Sequence, residues 1–63
     1  MKNKIKEYRK AQKISQENLS KKVNVSRQTI NAIENNKYDP TLALAFNLAK
    51  SLNTSVDDLF ISS

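Results

Sequence analysis

The chain of 63 residues contains no cysteine, no histidine, no glycine and no tryptophan, and its one proline is Pro40. Without cysteine a disulfide framework is excluded, and without cysteine or histidine a zinc site of the usual kind has no ligands. The commonest general base and the best thiol nucleophile are missing too. Carboxylates, lysines and serines remain, but they form no catalytic cluster, so no enzymatic activity and no cofactor are expected. No apolar run approaches the ~20 residues needed to cross a bilayer, and no signal-peptide core follows the charged start. The sequence therefore points to a cytoplasmic protein with no membrane partner.

What is present is charge of one sign. Eleven Lys and Arg face six Asp and Glu, for a formal net charge of +5. Residues 1–13 hold six of the basic side chains and one Glu, whereas residues 41–63 hold one Lys and two Asp. A small basic domain favours a polyanionic partner. A solvated basic helix face is the plainer explanation of the same residues. At this length there is room for one domain, expected over 1–63, and its stability is marginal by size alone.

Apolar spacing predicts five helices and an all-α fold. The first covers about Asn3 to Gln12, with Ile5, Tyr8, Ala11 and Ile14 on one stripe. The second covers Gln16 to Val23 behind the cap Ser15, and the third Arg27 to Asn35 behind the cap Ser26. The fourth runs from Thr41 to Leu52, with Leu42, Ala45, Leu48, Ala49 and Leu52 sharing an arc. The fifth is short, Val56 to about Ile61, capped by Ser55. In a chain without glycine, Asn24, Asn36 and Asn53 stand where helix exits need a left-handed residue, and Asn is the next best choice.

The stretch Gln16 to Asn35 carries the functional signal. Asn24-Val25-Ser26 joins two short helices by a turn former, a buried aliphatic and a cap, the length of a helix-turn-helix connection. Leu19, Val23, Val25, Ile30 and Ile33 form its shared core, and the small Ser20 lets the helices approach. The outer face of the third helix offers Ser26, Arg27, Gln28, Thr29, Asn31 and Ala32. Solvated faces usually mix Lys and Glu; this one presents amides, hydroxyls and one guanidinium. Arg can pair bidentately with guanine and Gln or Asn with adenine, while a Thr methyl or Ala can touch a thymine methyl. Candidate base readers are Ser26, Arg27, Gln28, Asn31 and Ala32. Phosphate contacts are expected from Gln16 at the start of the second helix, from Thr29, and from Asn35, Lys37 and Tyr38. Lys10, Lys13, Lys21 and Lys22 are as well explained by solvation.

Read together, "ISQENLSKKVNVSRQTINAIENNKYDPTL" and "LAKSLNTSVDDLF" resemble the lambda-repressor-like, Cro/Xre type of helix-turn-helix regulator. The resemblance runs from Ile5 to Phe60. It implies a compact bundle of five helices with the motif at the second and third. It implies a phosphate anchor at Gln16 and a recognition helix that begins at Ser26, Arg27 and Gln28, with Asn31 and Ala32 one turn on. Arg9 and Glu34 match positions that form a partly buried ion pair in the family; a phosphate contact is the other role open to Arg9. The chain departs from the usual pattern at Asn24, where glycine is common, and at Ala45, where a larger aliphatic is often found.

Leu44, at the edge of the fourth helix's arc, and Phe60 and Ile61 are expected to leave an apolar patch that pairs two copies. The resulting reading is a regulator, a repressor that binds double-stranded DNA at a palindromic operator as a homodimer, with nucleoid association through the DNA and no small-molecule ligand. The alternative is an antitoxin that binds a toxin protein and its own operator. That would need an added surface or tail, and only Ser62 and Ser63 follow Ile61.

Overall fold

Helix ends in this sequence are set by hydroxyls at the start and left-handed residues at the exit. The computed structural model describes residues 2–61. Its helices are α1 (Ile5–Ala11), α2 (Gln16–Lys22), α3 (Arg27–Glu34), α4 (Leu42–Ser51) and α5 (Val56–Leu59). The hydroxyls of Ser15, Ser26, Thr41 and Ser55 accept from the backbone N–H of Asn18, Thr29, Leu44 and Asp58, each meeting one orphan donor of the first turn. At α1 the side-chain oxygen of Asn3 accepts from the Ile5 N–H.

Asn24, Asn36 and Asn53 have φ of 60°, 60° and 57°, as the missing glycines imply. A fourth residue joins them: Lys13, at φ 59°. All four lie in the same hydrogen-bonded exit. Lys13, Asn24, Asn36 and Asn53 donate to the carbonyls of Lys10, Lys21, Ile33 and Lys50, and the residue after each donates to Arg9, Ser20, Ala32 and Ala49. This is the Schellman arrangement, which meets two orphan carbonyls per helix. Asn tolerates the left-handed region through local hydrogen bonding, whereas Lys pays the full penalty of its Cβ. Replacing Lys13 by glycine should therefore stabilise the protein. Net of glycine's larger entropy loss, the gain is about 0.5 to 1 kcal/mol, or roughly 2 to 8 °C in melting temperature for a domain this small. A thermal melt of K13G that shows no increase would mean that the position carries no strain.

The core takes residues from every helix. Ile5, Leu19, Ile30, Ile33, Leu48, Leu52 and Leu59 are fully buried, with Tyr8, Ile14, Val25 and Val56 packed against them. Ser20 is buried as well, its hydroxyl donating to the Glu17 carbonyl. On α1 two positions differ from the spacing argument. Ala11 is exposed and Arg9 is buried, because the inward arc of α1 is centred on Ile5 and Arg9 lies nearer to its middle. On α4 the buried arc is Leu44, Ala45, Leu48, Ala49 and Leu52, while Leu42 is 70% exposed. Leu42 and Leu44 are opposite edges of one arc at 100° per residue. Side chains lean toward the helix N-terminus, and for Leu42 that direction leads off the first turn, away from the core.

A further departure concerns the ends. Lys2–Asn3 forms a short strand, β1, paired antiparallel with Phe60–Ile61, β2, in the register Lys2 to Ile61 and Asn3 to Phe60. The first helix thus starts after Asn3 and stops before Gln12, and the fifth stops at Leu59. The Lys4 N–H donates to the Leu59 carbonyl at 2.7 Å, which draws the segment after α5 out of helical continuation and into pairing. The fold remains a five-helix bundle with this one small addition. Among the described residues no helix is long and apolar enough to cross a membrane.

Candidate nucleic-acid interface

The turn Val23 to Ser26 sets α2 against α3. Val23 and Asn24 close α2, Val25 donates back to Ser20, and Ser26 opens α3. With Ile30 and Ile33 buried, α3 turns its other side outward. Ser26, Arg27, Gln28 and Asn31 are exposed there, and Thr29 and Ala32 are half-buried. Gln16, Arg27, Gln28 and Asn31 line one shallow polar depression. Every side chain in it is an amide or a guanidinium, so it can both donate and accept but carries no negative charge. Among the described residues no group of acidic side chains gathers as a metal-ligand set.

Beneath this depression lies a charged network. The Arg9 Nε donates to Glu34 Oε2 at 2.8 Å and its Nη2 to Oε1 at 3.2 Å, while its Nη1 donates to the Ile14 carbonyl at 2.9 Å. The two side chains are 10% and 3% exposed. Bidentate geometry of this kind is the strong form of a charge-assisted pair. The same Glu34 Oε1 accepts from Gln16 Nε2 at 3.1 Å. A carboxylate only accepts, so the Gln16 nitrogen must face it, leaving its other N–H and its oxygen for a ligand. The ion pair therefore positions a residue of the outer face as well as joining α1 to α3.

Several expected roles change in this setting. Arg9 supports the ion pair and not the phosphate contact, because it is buried and all three of its nitrogens are engaged within the fold. Asn35 is exposed, but its Nδ2 donates to the Asn31 carbonyl at 2.9 Å and to Asn31 Oδ1 at 3.2 Å. In this rotamer the Asn35 nitrogen is turned to Asn31, which competes with the phosphate contact expected of it. Ser26 is held by two local bonds, to the Thr29 N–H at 3.2 Å and to the Thr29 hydroxyl at 3.0 Å; it acts first as a cap, and Thr29 is its partner. Lys37 and Tyr38 are exposed just past α3.

Asn3 was not expected to contribute. Its Nδ2 donates to the Ile33 carbonyl at 2.8 Å, tying the chain's start to the end of α3. Nothing in its spacing marks this role, because the bond closes across thirty residues. The patch expected from Leu44, Phe60 and Ile61 is also redrawn. Leu44 and Phe60 belong to the core, and Ile61 alone of the three is exposed, at 40%. The exposed large apolar side chains of this end are instead Leu42, Phe46 and Ile61. Leu42, Val56, Phe60 and Ile61 line one groove.

Known proteins share this fold. A helix-turn-helix family model matches residues 5–59. An uncharacterised HTH-type transcriptional regulator of Methanocaldococcus jannaschii is 56% identical over 61 residues, covering 97% of this chain and 92% of its own. The restriction-modification controller protein C.AhdI from Aeromonas hydrophila superposes with a TM-score of 0.83 at 27% identity, covering 89% of this chain and 85% of its own. SinR, a master regulator for biofilm formation solved in complex with DNA, gives a TM-score of 0.76 at 30% identity, with 82% and 84% covered. The fold, the motif at α2 and α3 and these relatives agree: the chain belongs to the lambda-repressor-like, Cro/C1-type family of helix-turn-helix transcriptional regulators that bind DNA.

Proposed function

We propose that the protein is a repressor that occupies a palindromic operator as a homodimer, with α3 of each copy in the major groove. Arg27, Gln28 and Asn31 read base edges, and Ala32 adds an apolar contact one turn on. Gln16, Lys37 and Tyr38 hold the phosphates on either side. The observation that carries this reading is the shared depression of Gln16, Arg27, Gln28 and Asn31, outside a helix whose inner face is the domain core. One such helix spans only a few base pairs. Two related by a two-fold axis read half-sites about 34 Å apart on one face of the duplex. The exposed Leu42 and Ile61 beside their groove supply an apolar surface for that pairing, with Leu44 and Phe60 supporting it from within. Occupying the operator then blocks polymerase sterically, with no ligand or cofactor required, and keeps the protein on cytoplasmic DNA.

Selection from random duplexes tests the whole reading at once. The expected product is an inverted repeat with half-sites 10 to 10.5 base pairs apart, centre to centre, at a spacing of roughly one helical turn. An enriched single half-site, with light scattering that shows monomer on DNA, would remove the dimer. No enrichment over the input pool would remove the DNA-reading assignment itself.

A further inference from the structure

The amide pair at the end of α3 has a fixed polarity. A backbone carbonyl can only accept, so the Asn35 atom 2.9 Å from the Asn31 carbonyl is its nitrogen. Two amide nitrogens would repel at 3.2 Å, so the Asn31 atom at that distance from the Asn35 nitrogen is its oxygen. The direction of both amides follows from this chemistry. Asn31 has its oxygen turned along the helix toward Asn35 and both of its own N–H groups left to meet a ligand.

We propose that Asn35 is a specificity-determining positioning residue: it holds Asn31 as a hydrogen-bond donor, so that Asn31 prefers a guanine edge to an adenine edge. An unrestrained Asn reads adenine by giving N–H to N7 and accepting from N6 at its oxygen, which needs both atoms on one base edge. Clamped by Asn35, Asn31 can give one N–H to adenine N7, but a second N–H then meets N6–H₂ donor against donor, and one lone pair of its oxygen is already taken. Guanine offers O6 and N7, two acceptors side by side, and thymine offers O4 alone. Arg27, which lines the same depression, also only donates, so the two neighbouring readers ask for the same kind of edge. This inference rests on the DNA-reading assignment of α3.

The experiment is parallel selection and competition binding with wild type, Asn31→Ala, Asn35→Ala and the double variant. The position that loses its preference in Asn31→Ala is the one Asn31 reads. Wild type is expected to favour guanine there over adenine. Asn35→Ala should reduce that ratio about fivefold, the equivalent of one ordinary hydrogen bond, and leave the preference opposite Arg27 intact. In the double variant, loss of Asn35 should change nothing further. A structural role alone would lower affinity for all sequences and leave the ratio unmoved. Adenine as the wild-type choice, or an unchanged ratio in Asn35→Ala, overturns the clamp while the DNA assignment stands. Failure of wild type to enrich any sequence overturns both. Asn35 is exposed and the backbone exit through Asn36 and Lys37 does not use its side chain, so the variant keeps its fold; circular dichroism of the same sample verifies this.

Discussion

Glu34→Ala is expected to remove a large part of the protein's folding stability. The Glu34 side chain is 3% exposed and accepts from Arg9 twice and from Gln16 once. Removing it strands a buried guanidinium, a change that costs about 3 to 5 kcal/mol. A domain of this length has only roughly 3 to 9 kcal/mol in total, at 0.05 to 0.15 per residue. Urea unfolding followed by circular dichroism measures the loss, and a deficit under about 1 kcal/mol would show that the pair is not critical. A companion variant separates folding from function. Arg9→Met with Glu34→Leu replaces both charges by apolar groups of similar volume, which is often neutral or better for stability. That protein should recover its stability but bind DNA more weakly than wild type, because Gln16 has lost the carboxylate that holds it.

The second large effect is on recognition. Arg27→Ala should lower affinity for the selected operator by about 1 to 3 kcal/mol, and affinity for a scrambled duplex much less. Arg27 is the first residue of α3 and is exposed, so its removal leaves the fold intact and the loss is attributable to contact. Fluorescence anisotropy on the two duplexes at one salt concentration gives the comparison, since affinities at different salt are not comparable. Equal losses on both duplexes would assign Arg27 to a phosphate and not to a base.

How much of this was legible in the sequence depended on whether a residue's role is local. Ser15, Ser26 and Ser55 announce helix starts because a cap needs only its own next turn. Asn24, Asn36 and Asn53 announce exits because glycine is absent and Asn is the usual substitute. Lys13 does the same work silently, since nothing about Lys favours a positive φ. Phe60 and Ile61 continue the helical spacing of α5, so their pairing with Lys2 and Asn3 could be found only in three dimensions. Leu42 and Leu44 are equivalent by periodicity and are told apart by what lies beyond the first turn. The outer face of α3 was readable from residue types. The contact of Asn35 was not, because its class suggests a phosphate donor while its nitrogen is turned one turn back, to Asn31. A search for Asn at i and i+4 on an exposed face would have raised the question.

The pairing of β1 with β2 bears on how the protein folds. Most of the bundle is built from neighbours in sequence: α2 against α3 across a short turn, and α4 against α5. Such contacts need little loop closure and can form early. Lys2 meets Ile61 only when almost the entire chain has been drawn together, which is the most expensive closure in entropy. The zipper of the two ends is thus expected to close late, and its closure brings Asn3 to the Ile33 carbonyl at the end of α3. Asn3 thus ties the β1–β2 pairing to the rear of the recognition helix, so loosening that pairing is expected to loosen the end of α3 with it.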